Sequence, residues 1–77
     1  MSEEALIKKF GMSTNGLTMW FECQSRMQPK IGFFPSHCMW YAEIVQHGHR
    51  LVGNGTTMVE AIGDCYLETI HALKLTS

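Results

Sequence analysis

The spacing of apolar positions changes several times along the chain, and each change marks an element. Between Ser2 and Gly11, Leu6, Ile7 and Phe10 fall on one side of a helical turn, behind Glu3 and Glu4 and ahead of Lys8 and Lys9. Acids in the first turn and bases in the last complement the helix dipole, and a glycine is a common stop, so this segment predicts a short helix. At about nine residues it is marginal alone and must dock on the rest of the fold. Asn15-Gly16 reads as a turn. From Leu17 to Gln24, Met19, Phe21 and Cys23 alternate with Thr18, Trp20, Glu22 and Gln24, which predicts a first, half-buried strand. Met27 to Cys38 carries Pro29, Gly32 and Pro35 and reads as a long connection with Phe33 and Phe34 in its middle.

After Trp40 the pattern strengthens. Tyr41-Ala42-Glu43-Ile44-Val45 has the β-branched and aromatic content of a strand, and His47-Gly48-His49 supplies the turn of a hairpin into a third. Gly53-Asn54-Gly55-Thr56 then leads into a helix whose start, Thr57-Met58-Val59-Glu60, reads as a capping box. At least one of Gly53 and Gly55 is expected at positive φ. On a helical wheel Val59, Ile62, Tyr66, Ile70 and Leu73 centre an apolar arc. Met58, Ala61, Cys65, Thr69 and Ala72 widen it, and Glu60, Asp64, Glu68 and His71 lie opposite. Helix, three strands, helix is an α+β order, α-β-β-β-α, with a three-stranded antiparallel sheet and two helices. The 77 residues permit one domain, 1–77.

Charge and chemistry narrow the function more by exclusion than by motif. Six basic residues against seven acidic ones leave a net charge of −1, so no bulk field draws nucleic acid or an anionic membrane. No apolar run approaches the ~18 residues of a membrane span, and Met-Ser-Glu-Glu lacks the features of a secretory signal, so a cytoplasmic protein is expected. Cys23, Cys38 and Cys65 are odd in number and suit reduced, partly buried thiols. As a nucleophile Cys23 or Cys65 would need a nearby base on an open surface, whereas both lie on apolar faces of their predicted elements. There is no serine elbow or Walker loop, and Gly53-Asn54-Gly55 lacks the lysine of a phosphate loop. No catalytic residue, and so no enzyme, is expected. His47 and His49 with Cys38 or His37 have zinc-ligand chemistry but no paired ligand spacing, so they read as turn residues, with no metal or cofactor.

Two patterns resemble the double-stranded-RNA-binding domain, and the resemblance covers nearly the whole chain. Phe34-Pro35-Ser36-His37 followed by Tyr41 is similar to that family's Gly-Pro-x-His loop and the aromatic after it. The run from Gly53 to Ile62 keeps the frame of its Gly-x-Gly-x-Ser-Lys-Lys-x-Ala-Lys segment with every lysine replaced. Leu17 to Glu22 looks like its first strand, with Thr18 where a proline is usual. The resemblance implies the same fold order. It also implies that phosphate contacts, which in the family come from lysines at the start of the last helix, are lost where Met58, Val59 and Ile62 stand. The strand, Gly-x-Gly-x-Thr and helix pattern is also similar to small phage-encoded sandwich proteins of helices around a sheet.

Aromatic side chains exceed what one small core readily covers: Trp20, Phe33, Phe34 and Trp40 all need a home. The expected function is therefore a protein-interaction module, of the phage accessory or inhibitory type that the second resemblance implies. Its partner site is expected at Arg26, Lys30, Phe33, Phe34, His37 and Trp40. The competing expectation is nucleic-acid binding through Lys8, Lys9, Arg26, Lys30, His37 and Arg50. A homodimeric structural piece is the third.

Overall fold

A computed structural model describes residues 2–76, the side chains of Leu75 and Thr76 excepted. The first helix, α1 (Glu3–Phe10), forms as its ends dictate. Ser2 accepts the Ala5 N–H on its hydroxyl, and Gly11, at φ 79°, closes the last turn by donating to the Ile7 carbonyl. Leu6 and Phe10 are buried, whereas Ile7 faces solvent.

The segment expected as the first strand is a second helix, α2 (Thr14–Glu22), and Asn15-Gly16 lies within it. Two local contacts favour the helix. Ser13 caps it by accepting the Gly16 N–H, and the Glu3 carboxylate accepts both the N–H and the hydroxyl of Thr14, each at 2.7 Å. The Thr14 hydroxyl, and then its N–H, hold the Glu3 carboxyl below its ordinary pKa, and its charge stands at the positive end of α2. Leu17, Trp20 and Phe21 also satisfy a helical i, i+3, i+4 spacing and turn inward, while Met19 stays 64% exposed.

A 3-10 turn (Ser25–Met27) leads to the first strand, β1 (Lys30–Phe34). The expected long connection thus contains a strand, bounded by Pro29 and Pro35. β2 (Met39–Gln46) and β3 (His49–Gly55) complete an antiparallel sheet in the order β1-β2-β3. His47 and Gly48, at φ 52° and 78°, form a two-residue hairpin turn with both residues left-handed, and His49 already belongs to β3. The last helix is α3 (Met58–Thr76). The chain is therefore α+β, with three α-helices among the described residues where two were expected.

α3 lies across β2 and β3, and α1 and α2 pack on α3. Gly53 and Gly55 are not at positive φ, contrary to expectation. Their lack of a side chain serves close approach instead. A Cβ on Gly53 would strike the backbone of α3 at Cys65 N and Ala61 O, and one on Gly55 would lie 2.7 Å from Ala61 N. On its other sides α3 receives the Phe10 ring over Gly63 and the Trp20 ring edge-on to Tyr66, 5.2 Å between centroids. The width of the apolar arc follows: this helix has neighbours on several sides. The buried stripe runs through Ala61, Ile62, Cys65 and Thr69, while Leu73 is 52% exposed. Leu6, Phe10, Leu17, Ala42 and Ile44 complete the core. Of the cysteines only Cys65 is buried; Cys23 and Cys38 are exposed, which corrects the expectation of three partly buried thiols.

Candidate functional site: an aromatic patch on the open face of the sheet

Side chains alternate across a strand, so the contact of Gly53 and Gly55 with α3 assigns both faces of the sheet. Trp40, Ala42 and Ile44 pair with Gly55, Gly53 and Leu51 and share the helix side, as do Ile31 and Phe33 through their pairing with Ala42 and Trp40. Met39, Tyr41, Glu43 and Val45 face the other way. So do Lys30, Gly32 and Phe34 of β1 and Arg50, Val52 and Asn54 of β3.

On this second face the Tyr41 ring lies over Gly32, its cross-strand partner; a Cβ there would come within 2.6 Å of the ring. Gly32 thereby lets Tyr41 settle on the backbone of β1, and Phe34, two residues on, stacks beside it at 4.8 Å between centroids, tilted 33°. The turn after β1 extends the patch. The Phe34 carbonyl accepts the His37 N–H, the Pro35 carbonyl accepts the Cys38 N–H, and Cys38 sits at φ 50°. His37 stands edge-on to Phe34 at 6.2 Å, with Nδ1 3.0 Å from the Ser36 hydroxyl. Phe34, His37, Met39 and Asn54 line a shallow hollow of about 310 Å³. Phe34 remains 48% exposed.

Beside the patch Glu43 is 8% exposed, its carboxylate paired with Arg50 Nε at 2.6 Å. Burial of that carboxylate is tolerable because the guanidinium meets it.

The expected partner residues are therefore divided. Phe34, His37 and Lys30 share the open face. Phe33 and Trp40 stack on each other at 5.2 Å on the helix side, with Phe33 45% exposed and Trp40 packed against the core. Arg26 is exposed on the 3-10 turn. Tyr41, Met39 and Asn54 were missed as site residues. The alternation Met39, Tyr41, Glu43 against Trp40, Ala42, Ile44 carried the signal, but it needed the face of the helix to be read.

The basic residues of the nucleic-acid expectation are divided between α1, the 3-10 turn and the open face of the sheet, where Lys30, His37 and Arg50 stand. Lys8 and Lys9 end α1, with Lys9 over the Phe10 ring at 5.2 Å, whereas Lys30 and Arg50 stand on the sheet and Arg50 is paired with Glu43. At the start of α3, Glu60 accepts from the Thr56 N–H and hydroxyl and Asp64 accepts from the Asn54 N–H, so carboxylates line that approach. Met58 is exposed there and Val59 packs partly on the core.

His37 and Cys38 lie at one end of β2 and His47 and His49 at the other. Among the described residues no three His, Cys, Asp or Glu side chains come together to hold a metal ion. A second hollow, about 460 Å³, opens between the β2–β3 hairpin and α3, lined by His47, His49, Leu51, Ala72 and Leu73 among others. No described helix is long and apolar enough to cross a membrane.

The described residues form a small α+β fold, with its helices on one side of a three-stranded antiparallel sheet and the Phe34–Tyr41 stack on the other. No family model, characterised protein or solved structure matches the chain.

Proposed function

We propose that the protein is a non-enzymatic binding module that contacts another protein through the open face of its sheet, in the setting of a small phage-type accessory or inhibitory protein. The observation that carries this reading is the Phe34–Tyr41 stack, held over Gly32 on the face opposite α3 with Phe34 nearly half exposed. An aromatic anchor already ordered by a strand and a tight turn loses little entropy on binding. Aromatics in such positions dominate typical interfaces. Met39 and the hollow beside it offer an adaptable apolar border, and His37 and Asn54 offer polar groups at the rim.

The test is binding of the purified partner to wild type and to Phe34→Ala. The variant is expected to lose about 2 kcal/mol or more, roughly 30-fold in Kd, with its melting temperature nearly unchanged. Undiminished binding by Phe34→Ala would overturn the reading. So would a tight complex of the wild type with duplex RNA that weakens steeply as salt rises, the signature of phosphate contacts.

A further inference from the structure

The outer edge of β1 is a second surface, and its hydrogen-bonding direction follows from one contact on the far edge of the sheet. The Asn54 N–H donates to Asp64 Oδ2 at 3.0 Å, so Asn54 turns its main-chain groups outward from β3, and Gly53 and Gly55 turn theirs toward β2. Their partners Ala42 and Trp40 face β3 in return. Met39, Tyr41 and Glu43 must then bond β1 through Phe34, Gly32 and Lys30. Ile31 and Phe33 are left presenting N–H and C=O on the outer edge of β1, where no described strand pairs with them.

We propose that this edge binds the same edge of a second copy, antiparallel about a twofold axis at Gly32, joining two sheets into one of six strands. The sequence of β1 is self-complementary in that register. Ile31 meets Phe33 of the second copy and Phe33 meets its Ile31, so each outward N–H and C=O finds a partner. On the helix side both cross-strand pairs are aromatic against β-branched. Lys30 stands across from the second copy's Phe34, and no like charges oppose each other. Gly32 meets Gly32 at the axis, where the backbones of a non-hydrogen-bonded pair approach most closely. The pairing covers Ile31 and Phe33, which are 37% and 45% exposed in the single chain. Edge strands are usually blunted by shortness, lysines, an internal proline, a bulge or an inward charge. β1 has no internal proline, bulge or inward charge; its one lysine, Lys30, stands at its end on the open face, and Pro29 and Pro35 confine pairing to five residues. The twofold axis also sets both Phe34–Tyr41 stacks on one continuous face, so the assembly would present its aromatic patch twice.

Sedimentation velocity of the full chain tests this, from about 1 µM to about 1 mM, because an edge of five residues buries a small area. The mass is expected to rise from 8.7 kDa toward twice that value, with the Ile31 and Phe33 amides becoming protected from exchange as it rises. Phe33→Pro deletes an outward donor while sparing the bonds to β2, and Gly32 before it tolerates the proline. It should weaken the dimer about tenfold or more. Ile31→Lys, which places a charge on the shared face, should do the same without touching the backbone. A chain that stays monomeric throughout would overturn the proposal, as would a dimer that both folded variants keep unweakened. Loss of the dimer in either variant, with wild-type amide spectra away from β1, supports it.

Discussion

At the scale of single residues the clearest consequence of burial is chemical. The Cys65 thiol donates to the Leu51 carbonyl at 3.6 Å, and burial, reinforced by the negative charge of Asp64, raises its pKa to about 11. A raised pKa means that the stabilising contribution is complete below the ordinary value of 9.0. It is lost as pH climbs toward about 11, because the unfolded chain ionises first. The melting temperature is therefore expected to fall above pH 9. At pH 8 the native protein should take up a thiol reagent at exposed Cys23 and Cys38, with Cys65 reacting only after denaturant is added, as mass spectrometry of peptides would show. Equal labelling of all three would mean that the interior is open. The position of Cys65 was legible in the helical spacing of its segment. That of Cys23 was not, because reading the segment as a strand placed it on the wrong side.

Elements were legible where several signals agreed. The hairpin and α3 combine strand composition, a left-handed turn and a cap. The Thr57 hydroxyl does accept the Glu60 N–H, although the Glu60 carboxylate reaches back to Thr56 rather than to Thr57. Where only periodicity spoke, an eight-residue segment fitted both a strand and a helix. The long-range contact of Glu3 with Thr14 that favours α2 cannot be read from local spacing. β1 was hidden because its prolines and glycine resemble a loop, whereas they bound the strand and seat Tyr41. The joint between β3 and α3 yields a prediction that separates two kinds of stabilisation. Thr57→Ala removes a cap and should cost about 1 kcal/mol. Gly53→Ala drives a methyl group into the backbone of α3, which cannot step aside as a side chain could, and should cost about 3 kcal/mol or more. Urea unfolding of the two variants would show this order. A reversed order would mean that β3 and α3 are not in the contact described.

For the whole molecule, the decisive fact is how little stability a chain of 77 residues holds, about 4 to 12 kcal/mol. α1 and α2 are too short to persist as isolated helices, so their order is an attribute of the assembled core rather than of their own sequences. Phe10 is the main tie. It is 4% exposed, and its ring fills the space that Gly63 leaves open on α3. Phe10→Ala should cost about 3 to 5 kcal/mol, a large part of the total, and lower the melting temperature by about 12 °C or more. Phe34→Ala, which removes a ring of the same size from the open face, should barely move it. The contrast tests the division between a face that holds the fold and a face left free for a partner. If Phe10→Ala melts within a few degrees of wild type, α1 is an appendage and the core is confined to the sheet, α2 and α3. If Phe34→Ala melts as low as Phe10→Ala, the open face belongs to the core and cannot be the binding surface.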